Sequence, residues 1–185
     1  MRVLVTGITG LVGQELKKML EALDFEIHYL TTRKNQIEDL PNYKGFFWNP
    51  AASEIDVNCL EDVDVIIHLA GASVAQRWTK SNKKKIIDSR VDSTKLLYET
   101  VKNNENHITQ IVSASAIGIY ESSLTTYHDE NSNQLSNSFL GEVVKKWENA
   151  VDVFKKIGVT TCKLRIGMVL SDKGGALEKI IQPIQ

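Results

Sequence analysis

Gly7, Gly10 and Gly13 stand three residues apart, directly between an apolar stretch, Arg2–Thr6, and an amphipathic one, Leu11–Leu23. Glycine at the first position permits a tight turn. At the second it lets a phosphate approach the backbone, and at the third it lets a helix lie close against a strand. The unpaired amides of the helix start then face an anion. A glycine triplet with a strand before it and a helix after it is the pattern that holds a dinucleotide pyrophosphate. Its plainer alternative is three glycines in an ordinary strand–helix turn. The residues at the end of the second apolar stretch, Thr31-Thr32-Arg33-Lys34, bear on which dinucleotide. A carboxylate about 20 residues beyond the glycines would bind the ribose hydroxyls of NAD. None is present. Arg33 can clamp a 2′-phosphate with paired hydrogen bonds. NADP(H) is therefore expected over NAD(H), with solvated loop charges at Arg33 and Lys34 as the alternative.

These residues need a scaffold, and the chain supplies alternating elements. Arg2–Thr6 reads as a buried strand, followed by a helix over Leu11–Leu23 with Leu16, Met19, Leu20 and Leu23 on one face. Phe25–Leu30 and Lys44–Trp48 read as strands. Val63–Leu69 is apolar on consecutive positions, as a strand covered on both faces requires. A long helix, Ser81–Lys102, opens with the basic run KSNKKK; Ile86, Ile87, Val91 and Leu97 are its apolar residues. A strand at Ile108–Ser113, a helix at Phe139–Lys156 and a strand at Val159–Leu164 complete the series. The expected fold is α/β, a Rossmann-like doubly wound parallel sheet with helices on both sides. Its ligands belong at the carboxyl ends of the strands.

Composition narrows the function classes. A chain of 185 residues with 42% hydrophobic and 24% charged residues suits one domain with a full core. The net charge of −1 gives no general attraction to nucleic acid or to an anionic membrane. No apolar run approaches the roughly 18 residues that span a bilayer. Cys59 and Cys162 are isolated, and His28, His68, His107 and His128 are scattered, so no metal site is expected. With no signal peptide visible, the reading is a cytoplasmic protein with reduced thiols.

The segment TGITGLVG resembles the glycine turn of the extended short-chain dehydrogenases/reductases. "HLAG", "RWT", "DSR" and "ST.LL", in that order within Ile66–Leu97, narrow the likeness. So do "WNP" at Trp48–Pro50, "SASAIGIY" at Ser113–Tyr120, "FLGEVVKKWE" at Phe139–Glu148 and "LRIGMVLSDKGGAL" at Leu164–Leu177. Together they resemble the epimerase-like subgroup of the SDR39U1/YfcH type within the NAD-dependent epimerase/dehydratase family. The resemblance implies a chain near 300 residues. Residues 1–185 are then expected to be its NADP-binding Rossmann domain, lacking the C-terminal substrate portion.

What the resemblance implies for the cofactor can be placed residue by residue. Gly7, Gly10, Leu11 and Val12 would contact the pyrophosphate and its flanking riboses, with Gly13 packing beneath. Thr32 and Arg33 would take the adenosine ribose and its phosphate. Leu69, Ala70 and Gly71 would line the path to the nicotinamide ribose. Lys85 and Arg90 match helix positions associated with NADP, and Val169 matches a position near the cofactor. For Lys85 the alternative is a solvated member of the KKK run. For Arg90 it is an ion pair within the helix.

The wider superfamily pairs a Ser or Thr at a strand end with a Tyr-x-x-x-Lys on the next helix. There the lysine, one turn along, favours the ionised phenol. Ser115 matches the serine. Phe139–Lys156 contains no tyrosine, and Phe139, Val143, Trp147, Val151 and Phe154 form an apolar stripe instead. Tyr120 is the tyrosine candidate upstream. The polar segment Glu121–Asn137 is expected to be a mobile loop, and Trp78 to pack rather than cover the nicotinamide. Two readings follow. One is an NADP(H)-dependent epimerase/dehydratase-like oxidoreductase acting on a small or sugar-like substrate with a non-standard proton donor. The other is a non-catalytic NADP(H)-binding sensor. A homodimer is left open.

Overall fold

The computed structural model describes residues 1–175 and 177. Ala176 of the last family-like motif lies outside them. The elements run β1 (Arg2–Thr6), α1 (Leu11–Ala22), β2 (Glu26–Thr31), β3 (Asp39–Leu40), β4 (Tyr43–Asn49) and β5 (Glu54–Ile55). Then come β6 (Val65–His68), α2 (Lys80–Asn103), β7 (Gln110–Ala116), α3 (Phe139–Asp152), β8 (Thr160–Ile166), β9 (Leu170–Ser171) and β10 (Gly174–Gly175).

Six parallel strands lie in the order β4-β2-β1-β6-β7-β8. The chain builds outward from β1 to one edge, then returns and builds toward the other. This is the doubly wound Rossmann-like order, with its switch point between β1 and β6. The short strands β3 and β5 pair antiparallel with β4.

Alternation along β1 explains why its residues are apolar without interruption. Val3 and Val5 join Leu20, Ile27 and Tyr29 in a core under α1. Leu4 points the other way, into a larger core with Ile66, Leu97, Ile111, Trp147 and Phe154, where α2 and α3 cover the sheet. Within α3 the expected stripe holds: Val143, Trp147 and Val151 are buried, as is Phe154 just beyond the helix end.

Several boundaries differ from expectation. The buried face of α1 is narrower, running through Gly13, Leu16 and Leu20, while Met19 and Leu23 flank it and stay exposed. Strand β7 continues to Ala116 because Ala114, Ser115 and Ala116 keep their pairing with β8. α3 ends at Asp152. A 3-10 turn over Val153–Ile157 follows and closes at Gly158 with φ +79°. The segment 121–137 is closed at its base. Tyr120 bridges Leu135, the amide of Glu121 donates to the Gln134 carbonyl at 3.0 Å, and that of Ser136 to the Ile119 carbonyl at 2.8 Å.

Candidate functional site

The glycine turn follows β1 and meets the loop after β6. Gly7 has φ +73°, and a Cβ there would come within 2.9 Å of the Ala70 amide nitrogen. Both the conformation and the space demand glycine. At Gly13 a Cβ would lie 2.3 Å from the Gly7 carbonyl oxygen and 2.6 Å from the Ile8 Cα. The backbone crosses itself there. At Gly10 a Cβ would press on the Gly7 carbonyl oxygen at 3.2 Å, tighter than an ordinary contact but far less severe than at Gly13. Gly10 is the N-cap of α1, makes no side-chain cap, and no acid occupies the first turn. The first amides of α1 therefore have neither an intrahelical acceptor nor a capping side chain, and the positive end of the helix dipole faces outward.

A buried polar spine holds the two loops together. The Thr6 hydroxyl accepts the amides of Leu69 and Ala70, at 3.2 and 3.1 Å. Its own hydrogen is thereby left for His68 Nδ1, 2.7 Å away. His68 Nε2–H then donates to Thr94 Oγ1 at 3.1 Å, and Thr94 donates to the Arg90 carbonyl at 2.6 Å. His68 is fully buried; burial, aided by the charge of Arg90, lowers it to about 4. The ring is neutral, with its proton on Nε2.

Above this spine a groove of about 970 Å³ opens at the carboxyl ends of β1, β2 and β6. Of the residues expected to hold a cofactor, Gly7, Gly10, Thr32, Arg33, Leu69, Ala70, Gly71 and Lys85 line it. Leu11 and Val12 sit on the first turn of α1 beside Gly10, and Gly13 is buried beneath. Trp48, Asn49 and Pro50 also line the groove, although the sequence marked them only as a family-like motif. Among the described residues, no side-chain hydrogen bond or ion pair engages the Arg33 guanidinium or the Lys85 ammonium. Lys34 turns away to the Phe47 ring, and Lys84 pairs with Asp88.

Arg90 is placed differently from expectation. It donates to the carbonyls of Ala72 and Ile86, at 3.0 and 3.1 Å, and lies 5.0 Å from the centre of the Trp147 ring. A Cβ at Gly71 would come within 2.9 Å of its Cζ. Arg90 thus supports the Gly71 backbone from behind and is not among the groove-lining residues. It makes no ion pair within the helix either. Val169 also lies outside the groove lining. It precedes the hairpin β9–β10, where a Cβ at Gly175 would meet both the Val169 carbonyl and Leu11. Lys173 of this hairpin pairs with Glu15 of α1 at 2.9 Å.

Ser115 and Tyr120 meet in a second cluster that the sequence did not reveal. Ser115 is buried, and its hydroxyl donates to Glu148 Oε1 at 2.5 Å. Arg165 donates through Nε and Nη2 to the two oxygens of Glu148, at 2.9 and 3.0 Å. Its Nη1 donates to the Tyr120 phenol oxygen at 2.6 Å. Burial alone would raise the Glu148 carboxyl. The bonds from Arg165 and Ser115 and the charges of Arg165 and Lys163 outweigh it, so the group lies below its ordinary value. The paired carboxylate in turn raises Arg165. The signals in sequence were slight: one acid beside Trp147 in the apolar stripe, and one arginine inside a strand. Trp78 packs edge-on to Phe139 at 5.2 Å, with its indole N–H on the Val74 carbonyl, and is still 45% exposed. Among the described residues, no helix is long and apolar enough to cross a membrane.

Residues 3–138 match the model of the NAD dependent epimerase/dehydratase family. Epimerase family protein SERP0438 of Staphylococcus epidermidis is 36% identical over 182 residues, 98% of this chain and 60% of the relative. Epimerase family protein SSP1921 of Staphylococcus saprophyticus is 37% identical over 180 residues, 97% of this chain and 59% of the relative. The chain thus spans about 60% of the length of these curated relatives. Among solved structures, human epimerase family protein SDR39U1 (isoform 2) with NADPH superposes with a TM-score of 0.77 at 26% identity. That match covers 99% of this chain and 59% of the human one. The nucleoside-diphosphate sugar epimerase of Corynebacterium glutamicum gives 0.80 at 30% identity, covering all of this chain and 37% of that one. With the family model matched over most of the chain and the doubly wound sheet on which its motifs fall, this protein belongs to the NAD-dependent epimerase/dehydratase family.

Proposed function

We propose that the chain binds NADP(H) in preference to NAD(H), as the cofactor part of an epimerase/dehydratase-like oxidoreductase acting on a small or sugar-like substrate. The observation that carries this reading is the groove itself. One part is the uncapped, glycine-lined start of α1, which suits a pyrophosphate. The other is the end of β2, where Arg33 and, across the groove, Lys85 are uncommitted cations and no carboxylate follows the strand. A 2′-phosphate at the end of β2 would accept from the Arg33 guanidinium. The NADPH of the human relative supports the same choice. When bound, the nicotinamide supplies hydride exchange; the chain positions it and provides the proton-handling group.

A non-catalytic NADP(H)-binding role is the second reading. It is favoured by α3, where Val143 is buried in the core and no Tyr-x-x-x-Lys pair occurs. Both readings require cofactor binding. Titration of NADPH fluorescence against the protein tests it, with saturable enhancement expected and its absence contradicting both. Turnover of a panel of carbonyl compounds and nucleotide sugars then separates them.

A further inference from the structure

We infer that Tyr29 is the positioning residue for cofactor choice: its phenol holds the loop that presents Arg33 to the groove. The inference rests on the reading of the groove as an NADP(H) site. It starts from a strand pairing. Tyr29 of β2 stands opposite Gly45 of β4 in the parallel register. Because Gly45 has no side chain, the Tyr29 ring can lie across it. A Cβ there would come within 2.5 Å of the ring Cζ and 2.6 Å of the phenol oxygen. The ring crosses β4 in this way, and its hydroxyl reaches the loop between β2 and β3.

That hydroxyl makes two bonds to the loop backbone. It donates to the Gln36 carbonyl at 2.7 Å and accepts the Glu38 amide at 2.8 Å. Burial pushes the phenol above its ordinary value, so it keeps the proton that the first bond needs. The Glu38 carbonyl in turn accepts the Gly45 amide at 2.7 Å. On the near limb of the loop, the Thr31 hydroxyl accepts the Arg33 amide at 3.1 Å. Between these two anchors lies the 3-10 turn Lys34–Gln36, with Arg33 at its N-cap. Arg33 and Gln36 both line the groove. The turn that sets the direction of Arg33 is therefore tied to a core tyrosine.

The ring itself is held from α1. Tyr43 stacks on it, with ring centres 4.5 Å apart and 23° between planes. Lys17 of α1 places its Nζ 3.6 Å from the centre of the Tyr43 ring. A line of contacts thus joins α1, whose start faces the groove, to the loop at the end of β2. Arginine is long and flexible, and it selects a phosphate best when its backbone is already fixed. Otherwise each binding event must order the loop, at an entropic cost. NADH lacks the 2′-phosphate and draws nothing from that order.

Tyr29→Phe tests this, because it removes the hydroxyl and keeps the ring in the core. Fluorescence titrations of NADPH and NADH are run on the wild type and the variant. NADPH affinity is expected to fall about tenfold, the worth of one net hydrogen bond, and NADH affinity by less than about twofold. A general loss of packing would lower both alike, so the NADPH/NADH ratio separates positioning from structural support. Hydrogen exchange of the peptide containing Glu38, read by mass spectrometry without cofactor, should speed up in the variant while peptides of β1 and β6 stay protected. Gly45→Ala, which drives a methyl group toward the same phenol, should lower the ratio in the same direction. A wild type that prefers NADPH, with a folded Tyr29→Phe that keeps the preference in full, overturns the inference and leaves the cofactor reading intact. A wild type without the preference sinks the cofactor reading and the specificity role with it; faster exchange at Glu38 in the variant would then mark Tyr29 as a loop anchor alone.

Discussion

Gly13 lies directly against the carbonyl oxygen of Gly7, with room for hydrogen but not for carbon: a Cβ would approach that oxygen to 2.3 Å. The atoms in the way are backbone and cannot turn aside. Gly13→Ala should therefore shift the start of α1 and lower stability by about 3 kcal/mol, the upper range for overpacking. Gly10→Ala, whose Cβ would lie 3.2 Å from the same Gly7 carbonyl oxygen, needs a shift of only a few tenths of an ångström and should cost far less stability than Gly13→Ala while weakening cofactor binding. Thermal unfolding beside NADPH titration of both variants checks the contrast.

The His68 spine makes stability depend on pH. The folded ring is lowered to about 4, whereas in the unfolded chain it returns to about 6.5. Between those values the unfolded chain binds the extra proton. This contribution is full above pH 6.5 and is lost as pH falls toward 4, about 3 kcal/mol in all. Urea unfolding between pH 4 and 7 should show that slope, and His68→Gln should flatten it. An equally steep slope in the variant would assign the dependence to other groups.

Glu148 and Arg165 form a largely buried ion pair with two parallel bonds. Removing one partner leaves the other charge uncompensated. Glu148→Ala should cost about 3–5 kcal/mol. The double change Glu148→Leu/Arg165→Met should cost less than Glu148→Ala alone, since neither charge then remains in the interior. A double-mutant cycle of unfolding free energies measures the coupling.

How far the sequence anticipated this molecule follows from the range of each interaction. β1 and β6 were legible because two covered faces require unbroken apolar runs, and the glycine turn because its demands are local. The two-residue strands β3 and β5 carry no periodicity of their own; they exist through antiparallel pairing with β4. β7 outran its expected end because Ser115 and Ala116, weak strand formers, are held by β8. Arg33 was identifiable by charge and position, and Lys85 by family resemblance. Arg90 was named by the same resemblance, but its place behind the groove was not legible, because only the approach of Gly71 and Trp147 makes it a support there. Glu148 and Arg165 are 17 residues apart on different elements, and nothing local couples a helix acid to a strand arginine. Ser115 and Tyr120 were singled out by family resemblance alone; the bonds that join them through Glu148 and Arg165 came from the fold.

The most direct test of the cofactor site is the ratio of NADPH to NADH affinity, measured by fluorescence titration on the wild type and on Arg33→Ala. The expected result is a clear preference for NADPH in the wild type. In the variant that preference should fall by about 10- to 100-fold, the worth of a charge-assisted bond to phosphate, with NADH affinity nearly unchanged. Equal affinity for the two cofactors in the wild type, or a preference untouched by Arg33→Ala, would contradict the assignment of the β2 end as a 2′-phosphate site.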